Sequence, residues 1–94
     1  MDDPTPPGLV VRVARSGGIA GQIKEGAVDL DSTDPRAAAA RRLIQRIDLG
    51  SVASGEPRPD RYVYRFSYLG TECLVHEPAL TADLSELARV VLGE

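Results

Sequence analysis

The sequence predicts an α+β domain: a four-stranded antiparallel sheet, built in the order strand, strand, helix, strand, strand, helix, with two helices packed on one face. Three observations predict it. The segments "LVVRVAR" and "YVYRFSY" alternate with a period of two, and each is followed by a glycine-containing turn and a second extended run. After each pair comes a segment with apolar residues at i, i+3, i+4 and i+7, the stripe of a half-buried helix. The order has hairpins and no strand-helix-strand alternation throughout, which favours antiparallel pairing.

The elements follow in order. Residues 1–8, "MDDPTPPG", read as a frayed tail, because three prolines and a glycine neither build a helix nor donate fully to a sheet. A single domain then spans 9–94. Leu9, Val11 and Val13 share one face of the first strand, against Val10, Arg12 and Ala14. Ser16-Gly17-Gly18 supplies a turn and "IAGQIKEG" a weaker second arm, a hairpin from Leu9 to about Glu25. Gly21, inside that arm, marks a bulge or a close backbone approach.

Asp34 is placed to cap a helix with Pro35 in its first position. Ala40, Leu43, Ile44 and Ile47 form its buried stripe, Arg41, Arg42, Gln45 and Arg46 its outer face, and Gly50 its stop. Residues 50–61, "GSVASGEPRPDR", read as a long polar loop, either mobile or used. Tyr62, Tyr64, Phe66 and Tyr68 project to one face of the third strand, Leu69-Gly70 turns the chain, and "TECLVHE" returns beside it. Thr81 caps the last helix, whose buried stripe is Leu84, Leu87, Ala88 and Val91, and Gly93 ends it.

Composition narrows the function. With 43% hydrophobic and 27% charged residues the chain is globular, and a net charge of -3 disfavours nucleic acid or an anionic membrane as partner. One cysteine allows no internal disulfide, the amino-terminal residues do not resemble a secretory signal, and no apolar run is long enough to span a membrane. The expected compartment is the cytoplasm.

No residues assemble into a catalytic centre. Cys73 and His76 have C-x-x-H spacing, but there is no other Cys or His, and a structural zinc needs four ligands. As a nucleophilic pair they fail too, since residues three apart on a strand point to opposite faces. Asp29, Asp31 and Asp34 are explained by capping, and the helix arginines by a solvated face. "RSGG" lacks the frame of a phosphate-binding loop and precedes a strand, not a helix. Neither enzymatic activity nor a cofactor is expected.

"VRVARSGGIAG", then an acidic stretch and an Ala/Leu-rich helix, then "DRYVYRFSYLG", then "VHEPAL" leading into a Leu-spaced helix, resembles the emfourin family over residues 9–92, most specifically at "RSGGIAG". The resemblance implies a small proteinaceous inhibitor of thermolysin-like (M4) zinc metallopeptidases, of which protealysin is the type target; the free chain is expected to be a monomer. The chain departs from the family at Ile19, where relatives carry an aromatic residue, and in its proline-rich head.

An inhibitory loop binds tightly when folding has already ordered it. At the predicted hairpin tip, Gly17 and Gly18 let main chain enter a narrow cleft, Arg15 and Ser16 offer polar anchors, and Ile19 offers an apolar plug. Gly18-Ile19 is substrate-like for peptidases that favour a bulky apolar residue just after the scissile bond. Ile19 can equally belong to the core. Competing contact surfaces are the 50–61 loop, the helix arginines and Glu77, a carboxylate able to approach the peptidase's zinc or to sit simply in water at a strand end. The alternative function is a non-inhibitory interaction module that regulates or escorts a partner protein, with an exposed tyrosine ladder as its surface.

Overall fold

In the computed structural model, which describes residues 10–18 and 21–94, β1 (Val10–Gly17), β2 (Lys24–Asp29), α1 (Ala37–Arg46), β3 (Tyr62–Tyr68), β4 (Thr71–His76) and α2 (Ala82–Leu92) follow one another along the chain. The sheet runs β2-β1-β3-β4 and every neighbouring pair is antiparallel, so the predicted α+β class holds. The expected tail at residues 1–8, and Leu9 and Ile19, lie outside the described residues.

Alternation sorts each strand into two faces. Val11, Val13, Val28, Tyr64, Phe66 and Val75 are buried and point toward the helices, which contribute Ala40, Leu43, Ile44, Leu84, Leu87, Ala88 and Val91. The opposite face carries Arg12, Arg65 and Glu72 into solvent. Phe66 is fully buried and stacks on Tyr64, with ring centroids 6.1 Å apart. The tyrosine ladder is therefore mostly core: of its rings only Tyr62 is exposed, at 36%.

The second arm of the first hairpin lies later than predicted. Lys24–Asp29, not the run beginning at Ile19, pairs with β1, in the register Arg15↔Lys24 to Val10↔Asp29. Burial explains the shift: this register sets Val28 across from Val11 on the core face, while Ile23 stays 70% exposed. Leu69 (φ 53°) and Gly70 (φ 76°) close the second hairpin as a two-residue turn with both residues left-handed.

The first helix is also shorter than predicted. Asp34 closes a turn one step before it, with Oδ1 accepting the Arg36 N–H at 2.8 Å and its carbonyl accepting the Ala37 N–H at 2.9 Å. The far end stops at Arg46 and not at Gly50, because the Asp48 carboxylate accepts the Gly50 N–H at 3.1 Å and starts a separate 3-10 turn, Leu49–Ser51. The final helix follows its prediction, with Thr81 Oγ1 accepting the Leu84 N–H at 3.2 Å and Gly93 left-handed at φ 76°.

The long loop after Gly50 is docked at its start. The Ser54 carbonyl accepts the His76 N–H at 2.8 Å, so the loop runs along the outer edge of β4 and covers part of it. At the other side of the sheet, Arg36 ties helix to strand: Nη1 donates to the Val91 carbonyl at 2.8 Å and Nη2 to that of Ala27 at 3.3 Å.

Candidate functional site

β1, β2 and β3 meet at the end of the sheet where the chain turns between Gly17 and Lys24. Gly17 (φ 95°) and Gly18 (φ 72°) are left-handed, a conformation that glycine adopts without strain. The turn presses against the start of β3. The Gly18 N–H donates to the Arg61 carbonyl at 3.3 Å, and a Cβ on Gly18 would stand 2.8 Å from Cε1 of the Tyr62 ring.

The stem below this turn carries an electrostatic problem and its solution. Arg15 and Lys24 are direct cross-strand partners, and like charges in that relation repel. The Glu94 carboxylate lies between them: Arg15 Nη1 and Nη2 donate to its two oxygens at 2.9 and 2.8 Å, and Lys24 Nζ donates at 2.9 Å. The Arg15 guanidinium also lies over the Tyr62 ring, 4.6 Å from its centroid. On the other flank, Glu77 Oε1 accepts the Tyr62 N–H at 2.9 Å, and its second oxygen is 3.8 Å from Arg61 Nη1.

The predicted contact residues thus converge in part. Arg15, Ser16 and Gly17 end β1, Gly18 follows in the turn, and Glu77, distant in sequence, reaches the same end of the sheet through Tyr62. Arg15 and Glu77 are not idle surface charges; both are spent within the fold. Ile19 lies outside the described residues. Sequence reasoning missed Lys24, Tyr62 and Glu94 as members of the cluster. That Arg15 and Lys24 face each other, and so need a counter-charge, emerges only with the register, and nothing in the sequence pointed to a residue 79 positions away.

The pKa values follow from these contacts. Hydrogen bonds from Arg15, then from Lys24, hold the Glu94 carboxyl down at about 2, and the hydrogen bond to Glu94 raises Arg15. Because the folded value lies below the ordinary 4.5, the contribution of the clasp is complete above that value and is lost as pH falls toward 2. A carbon-detected NMR titration of the Glu94 carboxyl should show a midpoint near 2; a midpoint near 4.5 would mean that no clasp forms in solution.

Most of the other candidate groups have structural partners within the fold. Cys73 faces the helices across from Phe66, with its thiol pushed up by burial, whereas His76 is on the opposite face across from Val63. Of the helix-region arginines, Arg36 binds Asp34, Arg41 donates to the Leu30 carbonyl and Arg46 pairs with Asp83. Asp29 and Asp34 accept backbone N–H groups of residues two positions on. Among the described residues, no group of three or more His, Cys, Asp or Glu side chains could hold a metal ion.

No curated protein and no solved structure matches the chain. The Emfourin family model matches residues 13–92, from within β1 to the last residue of α2. That span takes in most of the chain, its whole sheet-and-helix order and the glycine turn; the chain belongs to the Emfourin family, a family of protease inhibitors.

Proposed function

We propose that the chain inhibits a thermolysin-like zinc metallopeptidase of the M4, protealysin-like kind by seating the β1–β2 loop in the active-site cleft. The reading is carried by one observation: both stems of this loop are tied down, Gly17 and Gly18 against β3 and Lys24 by Glu94, so the cost of ordering the stems is met on folding and not on docking. Gly17 and Gly18, lacking Cβ atoms, let the turn lie directly against Arg61 and Tyr62, Ser16 supplies a hydroxyl beside them, and Ile19 supplies the bulky apolar side chain that such a cleft accepts. Arg15 and Glu77 support the loop from below. The zinc is the peptidase's own, and the chain brings no cofactor. The proposed setting is the cytoplasm, with the free inhibitor a monomer.

The interaction-module alternative is weakened, since Tyr64 is buried, Tyr68 packs partly buried against the core, and Tyr62, which is exposed, lies under Arg15. The test is to titrate the purified chain into thermolysin-like peptidases and record residual activity. Stoichiometric loss of activity supports the proposal. Full activity of every such enzyme at saturating chain would reject it.

A further inference from the structure

We propose that Glu94 is a positioning residue for the inhibitory loop, closing the last rung of the β1–β2 ladder and thereby setting the geometry in which the loop meets the peptidase. This rests on the inhibitor reading above. The rung is Arg15↔Lys24, beyond which the described strands no longer pair. Two cations on directly opposite residues push the strands apart at the point where the loop begins. Glu94 reverses the sign of that interaction by accepting from both, at 2.8 to 2.9 Å.

The same contact fixes a second support. With its guanidinium gripped edge-on by the carboxylate, Arg15 lies over the Tyr62 ring, and that ring in turn stands beside Gly18. A chain of contacts therefore runs from Glu94 through Arg15 and Tyr62 to the turn itself. Glu94 sits in none of the secondary-structure elements, one residue past the helix-ending Gly93, whose left-handed backbone turns the chain away from the axis of α2. The backbone N–H of Glu94 donates to the Arg89 carbonyl at 2.9 Å, which anchors the residue to the helix.

Arg15 consequently acts through Glu94 and Tyr62 and not by touching the peptidase. Three variants of the full chain, Glu94→Gln, Arg15→Met and the double substitution, test this by inhibition constant, dissociation rate and melting temperature. Glu94→Gln is expected to weaken inhibition about 3- to 10-fold, through faster dissociation, with the melting temperature little changed. Arg15→Met should cost about as much, and the double variant no more than the worse single one. Unchanged inhibition by Glu94→Gln overturns the proposal, as does an Arg15→Met loss of the same size in both backgrounds, which would make Arg15 a direct contact.

A second measurement on the free chain separates this inference from the inhibitor reading. Amide hydrogen exchange of Gly18 and Lys24 should accelerate in Glu94→Gln while the core of β3 keeps its protection. Should the wild-type chain inhibit nothing, the inhibitor reading fails and this exchange pattern still decides the role of Glu94. Uniform acceleration across the sheet, or none at the loop, overturns it.

Discussion

Replacing Gly18 by valine should weaken peptidase inhibition by about 10- to 100-fold while the domain stays folded, an effect that corresponds to about 1–3 kcal/mol of overpacking. Two costs combine at this position. The backbone is left-handed (φ 72°), where a β-branched residue is strained, and the new Cβ would stand 2.8 Å from Cε1 and 3.2 Å from Cζ of Tyr62. The Tyr62 ring is exposed enough to swing aside, so the core survives. Swinging aside removes it from beneath Arg15 and undoes the support of the loop. Gly70→Ala is the matched control, since Gly70 has a similar φ of 76° in the opposite hairpin and a Cβ there meets nothing within 4 Å. That variant should inhibit like the wild type. Equal losses from both substitutions would trace the effect to general destabilisation and not to the loop.

Gly26→Ala should be the most destabilising single-methyl change in the sheet, costing about 1–3 kcal/mol and lowering the melting temperature by roughly 5 to 20 °C. A Cβ on Gly26 would lie 2.4 Å from the Val91 carbonyl oxygen, 3.2 Å from its carbon and 3.4 Å from Leu92 Cα. All three are backbone atoms, so no side chain can turn away. Neither partner is free to yield: Gly26 is held in the ladder opposite Val13, and the Val91 carbonyl is held by Arg36. Thermal unfolding followed by circular dichroism measures the effect. An unchanged midpoint would mean that α2 slides over β2 at no cost, contradicting the packing described above.

The parts of the fold that were legible in the sequence are those set by short-range periodicity. Val11 and Val13 on one parity, Tyr64 and Phe66 on another strand, and the Leu84, Leu87, Ala88, Val91 stripe all face the core as their spacing requires. Boundaries were less legible, because they depend on local competition that periodicity does not register. Asp48 captures the Gly50 N–H and ends the first helix early, and Val28 outcompetes Ile23 for the buried place opposite Val11. Gly26 could be read only as a residue in a weak strand; its close approach to α2 is a contact between elements far apart in the chain.

The candidate site was legible as a stretch but not as an assembly. "RSGG" marked the turn, and Glu77 was singled out as a carboxylate, yet that carboxylate binds the Tyr62 N–H inside the fold. The clasp of Arg15, Lys24 and Glu94 joins three segments, and no spacing rule connects residues 79 apart. Like charges facing across a strand pair are a usable signal only once the register is known, and the register became clear only with the placement of Val28.

The proposed mode of action makes the chain and a small zinc-directed ligand compete for one place on the peptidase. Binding of the chain to a thermolysin-like enzyme, measured by calorimetry with and without a saturating active-site zinc chelate such as a hydroxamate, tests that most directly. The account predicts mutually exclusive binding, with apparent affinity for the chain falling in proportion to hydroxamate concentration. Formation of a ternary complex, with chain affinity unaltered by the hydroxamate, would contradict it.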